Sequence, residues 1–204
     1  MPFSYLGNFP SQQLKNSGIF SPEDVLNLSA VGEYGGSLEL ISEVDVSSAS
    51  SHIFTEIAET KYSTHFLTFQ NYVPSTNSTQ LILRFYESGV EESASVYQFI
   101  YNYIDTGFAI SQATAIDYLR MSYSSGNGTG ETSCGHAFFY GLGNSSSFSF
   151  QTMEHIQNPS STNFRTVFGS GCLPQASVVD QIKVFVTSGT YSATLRLYGL
   201  KDIV

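Results

Sequence analysis

Tryptophan is absent, cysteine occurs twice, and lysine plus arginine number only eight among 204 residues. Each scarcity excludes something. Two cysteines, Cys134 and Cys172, are too few for the disulfide framework of a small secreted scaffold and lack metal-ligand spacing. Two buried free thiols are the default reading, and one disulfide is the alternative. The eight cations, Lys15, Lys61, Lys183, Lys201, Arg84, Arg120, Arg165 and Arg196, are scattered singly against seventeen acids, for a formal charge of −9. A nucleic-acid surface needs clustered cations to displace counterions, so no nucleic-acid partner is expected, and an anionic membrane surface is disfavoured for the same reason. No apolar run approaches the roughly 20 residues that cross a bilayer, so no membrane insertion is expected. Met1 to Pro10 has neither the basic start nor the apolar stretch of a secretion signal, and reads as a chain not exported by the usual route.

Charged residues make up only 12%, about half the usual share. Ser, Thr, Asn, Gln and Gly must therefore supply most of the polar surface. Sixteen Phe and thirteen Tyr are present, residues that suit pleated sheets and intersubunit contacts. With 41% hydrophobic residues the chain can bury a sizeable core in one domain.

Residues 1–36 differ from the rest, being rich in Asn, Gln, Pro and Gly, with apolar residues irregularly spaced. They read as an arm. Ser21-Pro22-Glu23-Asp24 marks a helix start, with Ser21 at the N-cap, Pro22 in the first turn and two acids favoured by the helix dipole. Val25, Leu26 and Leu28 come next, before Gly32 and Gly35-Gly36 end the segment, which leaves room for one short helix. From Ser37 to Val204 the pattern changes to about ten short runs of period two, separated by polar turns. Leu38, Leu40, Val44 and Val46 share a parity, with Ile41-Ser42 read as a bulge. Further strands are expected over 65–70, 80–86, 97–104, 118–123, 136–142, 148–154, 164–168, 178–186 and 191–200. Thr187-Ser188-Gly189-Thr190 fits a hairpin turn joining the last two, with Val178, Ile182, Val184 and Val186 answered by Tyr191, Ala193, Leu195 and Leu197. The expected fold is an all-β antiparallel β-sandwich of jelly-roll type behind a short arm. Leu81-Ile82-Leu83 with Phe85-Tyr86, and Ala137-Phe138-Phe139-Tyr140, are apolar on both faces, so their second face is expected to pack against another subunit.

No residues carry the pattern of a catalytic, cofactor or metal site. Cys134 and His136, two apart on one strand, point the same way and read as a small thiol beside a strand histidine rather than a nucleophile with its base. His52, His65 and His155 belong to no ligand motif. Glu91-Glu92 are neighbours in a loop, whereas a glycosidase pair faces across elements. Asp105, Asp117 and Asp180 lack calcium-loop spacing, and the Gly126–Gly130 loop, without lysine, reads as a flexible hairpin. Tyr97, Phe99, Tyr101 and Tyr103 line one strand face, read as a subunit interface or core, or else a sugar-stacking stripe.

Both ends resemble a known family. Val178-Val179-Asp180-Gln181-Ile182-Lys183-Val184-Phe185, Ser188-Gly189-Thr190 and Ala193-Thr194-Leu195-Arg196-Leu197-Tyr198-Gly199-Leu200-Lys201 look like the close of marine and cyanophage virion structural proteins. At the front, Gly7-Asn8, Pro10-Ser11-Gln12-Gln13, the run from Ser17 to Leu26 and Gly36-Ser37-Leu38-Glu39-Leu40-Ile41 are similar to their amino-terminal arm. The resemblance implies a non-enzymatic bacteriophage protein without cofactor, commonly a homotrimer, displayed on the virion as capsid decoration, head fibre or tail fibre. It implies assembly in the host bacterial cytoplasm, other capsid, tail or baseplate proteins as partners, and a host surface glycan as a further partner if the protein is a fibre tip. The arm would then dock through Phe9, Ile19, Phe20, Val25 and Leu26, because an irregular segment binds mainly by inserting apolar side chains into pockets.

Overall fold

The computed structural model describes residues 37–160 and 163–201. The chain divides into two units between Ser37 and Leu38, and every described strand belongs to the second. The arm, its short helix and the docking side chains Phe9, Ile19, Phe20, Val25 and Leu26 lie outside the described residues.

The described residues form thirteen strands and no helix. They are β1 (Leu38–Ala49), β2 (Ser51–Phe54), β3 (Thr64–Pro74), β4 (Leu81–Glu87), β5 (Val90–Glu91), β6 (Tyr97–Ile104) and β7 (Phe108–Ile116). The second half of the chain adds β8 (Leu119–Arg120), β9 (Ser133–Tyr140), β10 (Ser149–Ser160), β11 (Asn163–Leu173), β12 (Val179–Val186) and β13 (Tyr191–Leu200). One sheet has eight strands in the order β1-β13-β3-β9-β10-β11-β6-β7; the other runs β2-β12-β4-β5, with β8 also paired to β4. Every pairing is antiparallel. The all-β antiparallel sandwich is thus the fold, with the core between the two sheets.

Period-two patterning makes that core. Along β13, Tyr191, Ala193, Leu195, Leu197 and Gly199 are buried while the residues between them are partly exposed. Ile182, Val184 and Val186 of β12 are buried in the same core. These two sets do answer each other, but not as a hairpin: β12 pairs with β2 and β4, and β13 with β1 and β3. Residues 187–190 therefore bridge the two sheets. Val178 is exposed and Val179 buried, because the register slips between Val179 and Gln181.

A bulge also corrects the reading of β1. The register shifts between Leu40 and Ser42, so the shared parity of Leu38, Leu40, Val44 and Val46 does not mean a shared face. Leu38 and Leu40 are 45% and 54% exposed, whereas Val46 is buried. A second shift between Val46 and Ala49, with Ser48 at φ 49°, turns the chain from one sheet into the other at β2.

Three strands go beyond the sequence pattern, β2, β5 and β7, and the run at 118–123 shrinks to the two residues of β8. The apolar run of β4 is covered within the chain: Leu81, Ile82, Leu83 and Phe85 are all at most 2% exposed. Its second face needs no other subunit, contrary to expectation.

Candidate interaction face

The aromatic stripe, read as core, subunit interface or sugar-stacking surface, points inward. Tyr97, Phe99 and Tyr101 are buried in the core, and Tyr103 is partly buried against it. They hold the interior. The Tyr97 hydroxyl donates to the Glu92 carbonyl at 3.2 Å and accepts from the Phe85 amide at 2.9 Å. The Arg120 guanidinium, delivered by β8, lies 4.8 Å from the Phe99 ring centre and 5.0 Å from that of Tyr101. Arg165 lies 4.9 Å from the Tyr103 ring and pairs with Asp105. Phe99, Tyr101 and Tyr103 lie against the chain's own arginines and Tyr97 is held by hydrogen bonds, so the stripe is core and its assignment as interface or glycan-stacking residues is corrected.

The acidic pair is divided between structural tasks. Arg84 and Lys183 both reach Glu91 at 2.8 Å. Partial burial works to raise the Glu91 pKa, but hydrogen bonds from Lys183, Arg84 and Tyr86 outweigh it and hold it at about 2. Glu92 instead accepts from the Ala94 amide and the Gln175 side chain. Asp117 pairs with Arg84, and Asp180 accepts from the Gly89 amide.

The Gly126–Gly130 loop links β8 in one sheet to β9 in the other, so it is not a hairpin. The Gly128 amide donates to the Glu131 carboxylate at 2.8 Å, and a side chain at Gly126 would meet that same carboxylate. Beneath the loop lies a buried polar network that the sequence did not reveal. Ser125 donates to Gln157 at 2.9 Å, Ser133 donates to Ser125 at 3.0 Å, and the Leu81 amide donates to Ser122 at 2.8 Å. His155 sits at its edge, 1% exposed, its Nε2 accepting the Tyr123 amide at 3.2 Å. Burial pushes its pKa down to about 3. Burial also lowers His65, whose Nε2–H donates to the Ile57 carbonyl at 2.7 Å. No three His, Cys, Asp or Glu side chains converge as a metal site among the described residues.

Both cysteines are free, and they are half-buried rather than buried. Cys134 lies on β9 and Cys172 on β11, with β10 between. Two strand spacings, about 10 Å, exceed the reach of a disulfide. Burial raises the Cys172 thiol pKa.

Register places both thiols, with His136, on the outer face of the eight-stranded sheet, a face rich in exposed apolar side chains among the described residues. His136 packs between Phe66 and Phe138. Outward-facing apolar side chains are Tyr140 on β9, Phe150 and Ile156 on β10, and Phe164 and Phe168 on β11. Ile100 and Ile104 on β6 and Phe108 and Ile110 on β7 continue the face to its edge, and these nine are between 39% and 65% exposed. Cross-strand pairing sets them in rows: Phe150 opposes Tyr140, Ile104 lies between Thr166 and Phe108, and Asn102 between Phe168 and Ile110. From β9 to β7, Glu154 is the only carboxylate among the described outward positions, directly across from His136. Small outward side chains, Thr152 and Ser170, hollow the middle. A depression of about 530 Å³ is bounded by Phe138, Tyr140, Ile100 and Phe168 over Thr152, Gly169 and Ser170. Another of about 450 Å³ opens between Phe150 and Ile100 over Gly171 and Cys172. Gly169 and Gly171 themselves face the core, where an added Cβ would meet Tyr101 at 2.6 Å and the Leu119 side chain at 2.6 Å, so the strand packs closely on its inner side.

Comparison with known proteins finds no matching family, no matching curated relative and no matching solved structure.

Proposed function

We propose that this chain is a non-enzymatic structural protein of a bacteriophage virion, displayed on the particle surface as part of an oligomeric assembly. One observation carries the reading: nine large apolar side chains crowd the outer face of strands β9 to β7, where Glu154 is the single carboxylate among the described outward positions. Monomeric proteins rarely expose apolar patches beyond about 300–600 Å² unless a partner covers them. The chain's acidity, low charge content and aromatic richness agree with a part made to be packed against neighbours. The resemblance of both chain ends to virion structural proteins supplies the particle, and with it the finer jelly-roll description of the sandwich. In this reading residues 1–36 dock on a capsid or tail protein, while the sandwich is displayed.

The test is particle association. Gold-labelled antibody against the sandwich should decorate intact virions in electron micrographs, and a chain lacking residues 1–36 should fold yet fail to join particles. Full incorporation of the shortened chain would refute arm docking; absence of the protein from purified virions would refute the virion reading.

A further inference from the structure

We propose that the outer face of the eight-stranded sheet, from β9 to β7, packs face to face against the same face of a second copy of this chain. The inference rests on reading that face as an assembly surface, and adds which molecule covers it.

Area comes first. A fully exposed aromatic side chain presents about 150–250 Å², so nine large apolar side chains between 39% and 65% exposed offer on the order of 800 Å². That matches the roughly 800 Å² that each partner of a stable complex buries. The sheet is also large enough: five strands at about 4.8 Å spacing and eight residues at about 3.3 Å give a flat footprint of similar size before relief is counted.

Charge selects the partner. Two copies of a chain with formal charge −9 repel one another over most approaches. On this face the five strands bring one carboxylate, Glu154, beside His136, so like charges barely meet there. A basic partner would be drawn to the acidic remainder of the surface. The outer side of the smaller sheet is a poor alternative, since Arg84, Lys183, Glu91 and Tyr86 form a hydrogen-bonded ion network there.

Shape favours self-mating. The face carries both projections and hollows: Phe150 and Phe168 stand at the rims of depressions floored by Thr152 and Ser170. A surface with both can mate with itself about a two-fold axis, where a knob on one copy fills a hollow on the other and the reverse holds at once. Sheets stacked in this way lie about 10 Å apart with strands aligned to within roughly 30°.

Sedimentation equilibrium of the full chain at tens of micromolar should give the mass of two chains. Ile100→Glu with Phe168→Glu places two carboxylates per copy at exposed positions of the contact, and should give monomer with an unchanged β circular-dichroism spectrum. Val90→Glu, on the other sheet, should leave the pair intact. A measurement without substitution guards against misfolding: Cys134 and Cys172 face outward on this surface, so both should react with a maleimide slowly in the pair and at least tenfold faster on dilution to monomer. A monomeric wild-type chain, an assembly of three chains, a pair that survives the double substitution, or thiol rates indifferent to dilution would each overturn the proposal. Failure of the pairing leaves the virion reading standing, because a different virion protein would then cover the face within the assembly. Absence from virions leaves the pairing standing.

Discussion

His155 makes the stability of this sandwich depend on pH in a calculable way. Its imidazole is 1% exposed, and burial holds its pKa at about 3 against an ordinary 6.5. The unfolded chain therefore takes up the proton first. Stability is complete above about pH 6.5 and is lost as pH falls toward the folded value, at about 1.4 kcal/mol per unit. At pH 5.0 the loss from this one residue is about 2 kcal/mol. Glu91 and Glu39, whose pKa values are held at about 2 by their cationic partners, act in the same direction only below their ordinary range near 4.5, so pH 5.0 separates the histidine from them. Replacing the residue by glutamine keeps an acceptor for the Tyr123 amide and removes the titration. Urea unfolding at pH 7.5 and 5.0 reads the difference. With a slope of about 2 kcal/mol per molar urea, the wild-type midpoint should fall by about 1 M more than that of His155→Gln across this interval. Equal falls for the two proteins would refute the reasoning, whatever the substitution costs at neutral pH.

Other outcomes come from the packing. Gly199→Ala would drive a methyl group to 2.2 Å from the Tyr62 ring and should cost about 1–3 kcal/mol in thermal unfolding; substitution at Gly107, with nothing within 4 Å, should be nearly silent. Leu195→Ala removes a fully buried side chain between the sheets and should cost about 2–5 kcal/mol by urea titration. Glu91→Gln takes away the carboxylate shared by Arg84 and Lys183; the site is partly exposed, so the loss should be about 1 kcal/mol, and stability should become less sensitive to acid below pH 4.5.

Alternation along the chain reveals the fold class and the members of each strand face, because side-chain period is a local property. It cannot say which face meets the core. Tyr97, Phe99, Tyr101 and Tyr103 group together by parity alone, yet which way they point depends on β4 and β8, elements of the other sheet. The last two strands carry matching apolar sets, but matching sets fit equally well across a core as beside one another, and here they lie across it. β7 escapes the pattern because Ser111, Gln112, Ala113 and Thr114 blur its alternation, and as an edge strand it needs little burial. The interaction face is half legible. Phe138 and Tyr140, alternating with Ala137 and Phe139, announce apolar residues on both sides of β9, while the contributions of Phe108, Ile110 and Phe164 emerge only with the sheet order. The polar network around Ser125 and Gln157 leaves no signal, since serines beside a glycine-rich loop read as solvent-facing.

The place of β13 has a further consequence. It fills the gap between β1 and β3, so that Thr194 meets Asp45, 149 positions earlier. On a ribosome, those two early strands emerge long before their common neighbour is made, and neither can close the larger sheet without it. The domain must therefore wait for nearly all of its polypeptide before it can fold, and nascent chains halted ahead of Tyr191 should be cleared by proteases rather than accumulate.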